Sequence, residues 1–300
     1  MTPAREGAPP GTGAGGGPRE RDRRRLRALV ARPPALRAVV LAAHPDDETI
    51  GASRVLQALP DPLVVFLTDG APRDHRFWPA EAGPTRLAYA ARRRSEARRA
   101  LGEAGLPPDR IRWLDVEDQR AAFELVALTE AVAGLLRATR PDVLLTVPYE
   151  GGHPDHDAAA FVAQLAVRLP SDHRPRDGGS GVEAGPTRIE MTSYHARGGA
   201  LETGGFLAAG AAGADVLTLA LSEDERARKA RMVAAYASQQ AVLAAFALDR
   251  ESLRVAPEYD FRAPPHPGPL WYERLGWPLP GARWRALAAA ALDALAARGP

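Results

Sequence analysis

Residues 38–48 read Ala-Val-Val-Leu-Ala-Ala-His-Pro-Asp-Asp-Glu, an unbroken apolar run that ends abruptly in imidazole and acid. The apolar part, Ala38 to Ala43, has the spelling of a strand buried on both faces, as in a parallel sheet covered by helices. Similar runs follow. Pro62–Leu67 (PLVVFL) is a second buried strand ended by Thr68-Asp69-Gly70, Ile111–Leu114 is a short one, and Asp142–Pro148 (DVLLTVP) runs into Tyr149-Glu150-Gly151-Gly152-His153. Helical stretches lie between and after them: Thr49–Leu59, Arg86–Ala104 (stopped by Gly105 and Pro107), Phe123–Ala138 and Asp157–Arg168. Strand and helix alternating through short links predict an α/β fold with a mostly parallel, doubly wound sheet and helices on both faces. Such sheets bind ligands beyond the carboxyl ends of their strands, so the polar residues after the first, second and fourth runs face one rim.

Two acidic-histidine clusters occupy that rim: His44-Pro45-Asp46-Asp47-Glu48 and His153-Pro154-Asp155-His156-Asp157. In each, a proline stiffens the turn between the polar groups. A catalytic zinc site takes three ligands from His, Asp and Glu and keeps a position for water, with a base and an oxyanion partner nearby. The clusters supply His44, Asp47 and His156 as ligands, Asp46 as base, His153 as oxyanion partner and Asp155 as orienter. Mixed imidazole and carboxylate ligands suit Zn2+ and also accept Fe2+, Co2+ or Mn2+. The same aspartates also have the spelling of helix N-caps, Asp46 or Asp47 in the first cluster and Asp155 or Asp157 in the second. His75, His173, His195 and His266, in polar or Pro-rich surroundings, read as surface residues.

The chain has 300 residues, 45% of them apolar and 25% charged, with a formal net charge of +2. That is a globular composition with no charge excess that calls for nucleic acid. Cysteine is absent, which excludes thiolate metal sites, thiol nucleophiles and disulfides. No apolar run reaches the ~20 residues of a membrane span, and the Gly/Pro-rich start lacks the apolar core of a secretory signal, so a cytoplasmic location is expected. Residues 1–32 read as a disordered or loosely helical Arg-rich arm, with Leu26, Leu29 and Val30 on one side of a short helix. Residues 33–300 read as one domain. Its later part holds a loop from Pro170 to Pro186, strands at Ile189–Tyr194 and Asp215–Leu219, and a helix from Glu223 to about Phe246 opened by the Ser222/Glu225 capping box. A tail from 264 to 300 carries Trp271, Tyr272, Trp277 and Trp284 and ends in a helix, Arg283–Arg298; its aromatics either stack on a sugar or anchor that helix.

Ala-His-Pro-Asp-Asp-Glu after a buried strand, with His-Pro-Asp-His about a hundred residues on, resembles the LmbE-like (PIG-L) family of metal-dependent N-acetylglucosaminyl deacetylases. The resemblance extends over roughly residues 38–262. Thr68-Asp69-Gly70, the Arg93…Glu96…Leu101-Gly102 helix and Lys229…Ala235-Tyr236-Ala237-Ser238-Gln239 support it. It implies a Rossmann-like hydrolase with zinc on His44, Asp47 and His156 and Asp46 as general base. It implies further that a cationic His153, paired with Asp155, polarises the amide carbonyl of an amino-sugar conjugate as its N-acetyl group is removed. Asp69 and Arg93 are candidate sugar contacts; a turn residue and a solvated helix face are their plainer readings. The alternatives are hydrolysis of a non-sugar amide or ester, or a non-catalytic binding role. An oligomer is compatible with all of these. The Arg-rich arm, the segment Arg174–Gly185 and the tail beyond Pro264 are individual to this chain.

Overall fold

The computed structural model describes residues 17–31, 36–169, 185–207 and 216–298. The Gly/Pro-rich start, His173, most of the loop from Pro170 and the Gly/Ala-rich segment before Val216 lie outside the described residues. The chain runs α1 (Pro18–Val30), β1 (Ala38–Ala42), α2 (Asp47–Ala58), β2 (Leu63–Thr68), α3 (Arg86–Glu103), β3 (Ile111–Val116), α4 (Leu125–Thr139), β4 (Val143–Thr146) and α5 (Pro154–Ala166). It continues with β5 (Thr187–Met191), the β6 (Tyr194–Arg197) and β7 (Ala200–Thr203) hairpin, β8 (Val216–Ala220), α6 (Glu223–Ala235), α7 (Gln240–Leu243), β9 (Arg250–Val255), α8 (Trp271–Arg274) and α9 (Gly281–Ala297).

One sheet orders its strands β3-β2-β1-β4-β5-β9-β8. The first five are parallel, while β9 pairs antiparallel with both β5 and β8. Every residue of β1, β2, β4 and β5 is buried; β1, β2 and β4 have the apolar spelling of strands covered on both faces, whereas β5, Thr-Arg-Ile-Glu-Met, buries Arg188 and Glu190 in ion pairs. The chain builds outward from β1 to β3 and then returns to lay β4 on the other side of β1. Strand order therefore reverses between β1 and β4, and a crevice opens there beyond their carboxyl ends. The β1–β4 register, Ala38↔Val143 to Leu41↔Thr146, sets those two ends level. Hydroxyls fasten the ends together: Thr146 Oγ1 donates to Leu41 O at 2.9 Å and Thr68 Oγ1 to Ala43 O at 2.9 Å.

Several elements differ from the sequence reading, three of them with a clear physical reason. β9 was not expected, because Arg-Glu-Ser-Leu-Arg-Val lacks an apolar run; its charges are instead satisfied internally. Glu251 accepts from Lys229 Nζ (3.0 Å) and Ser53 Oγ (2.5 Å), and Arg254 donates to Glu190 (2.7 Å). The expected strand Ile189–Tyr194 ends at Met191, and Tyr194 opens a hairpin turned by Gly198 and Gly199, both at positive φ. The long helix from Glu223 stops at Ala235, because Ser238 is bound by its backbone N–H and hydroxyl to Glu96 of α3 (3.0 and 2.6 Å). The Ser-Gln pair and the α3 carboxylate thus form one interlock, which Gln239 extends to the Tyr89 hydroxyl at 2.8 Å.

At the N-terminal end, α1 packs on β5 and β9 with Leu26 and Leu29 each 1% exposed. At the other end, α9 packs on α4 and α5, and its Trp284 Nε1 donates to Pro154 O at 2.9 Å. No helix among the described residues is long and apolar enough to cross a membrane.

Gly152 lies where the loop after β4 passes under the hairpin: a Cβ there would sit 2.0 Å from Tyr194 O, a backbone atom that cannot swing aside. Gly152→Ala is expected to destabilise the fold by about 2 kcal/mol or more through overpacking. Thermal melting checks this; an unchanged melting temperature contradicts it.

Candidate metal centre

The turn after β1 begins with His44 and Pro45 and places Asp46 at φ 147°, a conformation rare for an L residue. Several bonds hold it there. The Asp46 N–H donates to Glu48 Oε2 (3.0 Å), its carbonyl accepts from Thr49 and Ile50 (3.0 and 2.9 Å), and its Oδ2 accepts from Arg93 Nη2 (2.9 Å). Asp46 occupies the N-cap position of α2, yet its side chain makes no cap bond and faces the crevice rim instead. Asp47 points back, and its Oδ2 accepts the N–H groups of Ala43 (3.0 Å) and His44 (2.9 Å).

The loop after β4 meets this turn. His153 caps α5 with its ring, Nδ1 accepting the Asp155 N–H at 3.0 Å, and Asp157 Oδ1 accepts the Gly151 N–H at 3.0 Å. His156, one turn into α5, brings Nε2 to 3.0 Å from Asp47 Oδ1 and 3.3 Å from His44 Nδ1, while His44 Nδ1 is 3.8 Å from Asp47 Oδ2. A tetrahedral ion with bonds of about 2.0–2.1 Å spaces its ligands about 3.3–3.4 Å apart. The donor set and its spacing therefore fit a divalent transition-metal ion. Each imidazole also has an outer partner of the kind that fixes ring orientation in metal sites: Ser193 Oγ on His156 Nδ1 (3.2 Å), and Asp118 and Asp155 on His44 Nε2 (3.2 and 3.3 Å).

His44, Asp118, His153 and Asp155 form a second group close enough to share an ion. Hydrogen bonding argues against that use. With Nδ1 accepting a backbone N–H, neutral His153 carries its proton on Nε2, and His44 Nε2 donates to the carboxylates when Nδ1 serves as ligand. The group is better read as the outer shell of the first.

The electrostatics agree. Burial opposes charge on His44, but Asp118, Asp155 and Asp47 outweigh it and hold its pKa well above the usual value. Burial also works against charged Asp47, yet His156 and His44 bring it down to about 2. The pocket thus favours positive charge between its carboxylates. His153 behaves oppositely, since burial, with His44 and His156 nearby, pushes it well below the usual imidazole range.

Burial thus works against a cationic His153, and its Nδ1 is taken by the Asp155 N–H rather than by the Asp155 carboxylate. Asp155 Oδ2 lies 3.9 Å from His153 Nδ1, accepts from the Gln119 N–H at 2.6 Å, and reaches His44. Asp69 and Arg93 also sit differently from a sugar-facing pair. Asp69 ties the ends of β2 and β3 together, accepting from Ala71 N (3.0 Å), Asp118 N (3.4 Å) and Arg86 Nη1 (2.5 Å). Arg93 is 2% exposed, so the solvated-face reading fails; it donates to Pro45 O (2.6 Å) and Asp46 behind the site. His195, expected at the surface, is fully buried with Nδ1 3.1 Å from Glu150 Oε2. His75 is exposed and His266 half-buried.

Residues 39–167 match the model of the PIG-L family, described as GlcNAc-PI de-N-acetylase. That segment is similar to a PIG-L domain. Over 164 residues the chain is 33% identical to a 1D-myo-inositol 2-acetamido-2-deoxy-alpha-D-glucopyranoside deacetylase of Streptomyces griseus, covering 46% of this chain and 50% of that protein. A Geodermatophilus obscurus protein of the same name is 31% identical over 172 residues, 49% of this chain and 58% of its own. The chain thus spans about half the length of the curated relatives it matches. Among solved structures, a deacetylase of an antimicrobial pseudoaglycone superposes with a TM-score of 0.53 at 20% identity, over 74% of this chain and 99% of that one. A deacetylase–teicoplanin complex gives 0.50 at 15%, over 73% and 96%. These two share the fold.

The matched segment holds all six residues of the two motifs, but the site has further members. Asp118 is the main one missed in the sequence. It follows β3 onto the same rim, but reading that strand as ending at Leu114 rather than Val116 hid the position. Ser193 and Tyr236 lie beyond residue 167; Ser193 carries no local motif, while Tyr236 belongs to the Ala235–Gln239 stretch whose role at the site the sequence did not show. Glu48 is fully buried and accepts from Tyr236 OH, Thr49 Oγ1 and the Asp46 N–H (2.6, 2.6 and 3.0 Å).

Burial raises the Glu48 carboxyl to about 7. A carboxyl raised in the folded state contributes stability that is present below the ordinary value of about 4.5 and lost as pH rises towards 7. In chelator, the wild-type protein is therefore expected to lose stability relative to Glu48→Gln between about pH 4.5 and 7. Parallel denaturation curves across that range would refute the assignment.

Proposed function

We propose that this chain is a divalent-metal-dependent amide hydrolase that removes an N-acyl group, acetyl in the simplest case, from an amino-sugar conjugate. The carrying observation is His44, Asp47 and His156 at the spacing of an ion's ligands, with Asp46 and His153 beside them. The PIG-L match and the names of the two curated relatives support the amino-sugar amide as substrate. Zinc is the proposed ion, with Fe2+, Co2+ and Mn2+ as competitors for the same ligands. A cysteine-free chain suits the reducing cytoplasm, its proposed compartment.

When bound, the ion supplies Lewis acidity to a water molecule and to the amide oxygen. The chain's own groups do the rest. Arg93 occupies Asp46 Oδ2, which leaves Oδ1 to take the proton of the attacking water. Burial raises Asp46 above the ordinary carboxylate range against the pull of Arg93, which makes it a stronger base. Neutral His153 presents Nε2–H as a donor to the oxyanion of the tetrahedral intermediate, with the backbone bond at Nδ1 fixing that tautomer. The proton on Asp46 then passes to the departing amine.

Metal analysis of the purified protein should find one divalent ion per chain. His156→Ala should lose it, and Asp118→Asn should bind it about 10–100-fold more weakly as an outer partner. Asp46→Asn should keep the ion while turnover of N-acetylglucosamine conjugates falls by about 10²-fold or more. Robust hydrolysis by Asp46→Asn reassigns the base; wild-type protein without an ion, or inert towards every N-acyl amino sugar, defeats the reading.

A further inference from the structure

The metal centre is lined by carboxylates and imidazoles, a surface that can polarise an amide but offers little for a sugar ring to lie on. The tail aromatics divide by their surroundings. Tyr272 and Trp284 are fully buried with their polar atoms bonded, Tyr272 OH to Asp157 Oδ2 (3.4 Å) and Trp284 Nε1 to Pro154 O (2.9 Å), and they anchor the terminal helices. Trp277 differs. Gly276, at φ 66°, turns the chain after α8 and delivers a half-buried indole to His153, with ring centroids 4.3 Å apart and planes at 72°. Phe77, from the loop after β2, meets it at 5.5 Å, so Trp277 closes the gap between the tail and that loop. Beside it Leu275 is 44% exposed. Among the described residues the indole Nε1–H is enclosed and finds no acceptor, so, unlike Trp284, the ring is not tied down through its polar atom.

On these observations, and resting on the amide-hydrolase reading above, we propose that Trp277 is the aromatic platform for the amino-sugar ring next to the scissile amide. An indole offers a broad apolar face to the C–H side of a pyranose. Its place against His153 puts the indole next to the group that meets the acyl oxygen. Selection of a sugar over other N-acyl amines then comes from the tail, outside the segment that matches the PIG-L model.

The test compares kcat and KM for wild type, Trp277→Ala and Trp277→Phe on an N-acetylglucosaminide and on the acyclic amide 2-acetamidoethanol, with melting curves for each protein. Trp277→Ala should raise KM for the sugar about tenfold, the loss of one stacking contact, and change kcat and hydrolysis of the acyclic amide by less than about threefold. Trp277→Phe, which keeps a ring, should fall between. Equal losses on both substrates would mark an anchoring role and overturn the proposal, as would an unchanged KM for the sugar. Should Trp277→Ala not fold, Trp277→Phe and Trp277→Leu replace it, and identical sugar KM values in those two overturn it. A wild type that cleaves only the acyclic amide overturns both this inference and the amino-sugar reading, whereas sugar turnover insensitive to Trp277 overturns the inference alone.

Discussion

The parallel pairing of β1 with β4 is the constraint on which the rest depends. These strands are more than a hundred residues apart in sequence, and each leads into a histidine-bearing turn, at once after β1 and after a short loop beyond β4. Hydrogen bonding in register makes their carboxyl ends finish level, so His44 and Asp47 from one turn meet His156 from the other. Neither turn holds a complete ligand set. A slip in that register would carry the α5 imidazole out of reach along the strand axis, by about 3.3 Å per residue.

Around this junction the fold spends several polar interactions on rigidity. Asp46 is kept in a rare backbone conformation by bonds from α2 and α3, and the guanidinium that secures it is itself buried under the ring of Tyr236, 5.8 Å away. Tyr236 reaches forward to Glu48, while the next turn clips onto Glu96 through Ser238. Elements from late in the chain thus stand behind the first turn and hold its carboxylates in place. The second turn is treated likewise, with Glu150 fixed by Arg254 at 3.1 Å and Gly152 passing under Tyr194.

The parallel half of the sheet was legible because β1, β2 and β4 spell their burial in consecutive apolar residues, and His44, Asp46, Asp47, His153 and His156 are contiguous with those strands. Asp155 was legible as a member of the cluster but not in its partner, because a backbone N–H took the ring nitrogen it was expected to bind. β9 was hidden because its burial is achieved by ion pairing, which leaves charged letters where a sequence pattern looks for apolar ones. The same misreading put His195 at the surface, where Tyr-His-Ala-Arg looks polar although Glu150 lies beneath it. Asp118 required only two more residues of β3. Ser193 and the packing of Trp277 on His153 arise from tertiary contacts with no local signal.

Lys229 is the only lysine in the chain, and it is fully buried, its ammonium held between Ile50 O at 2.7 Å and Glu251. The folded surface therefore presents no primary amine from a side chain, although it is rich in guanidinium. Reagents that acylate amines pass over every side chain of the native molecule, and a lysine-directed protease finds no accessible cleavage point. Loss of the fold uncovers a single reactive amine, so covalent tagging at that position is a direct count of opened molecules.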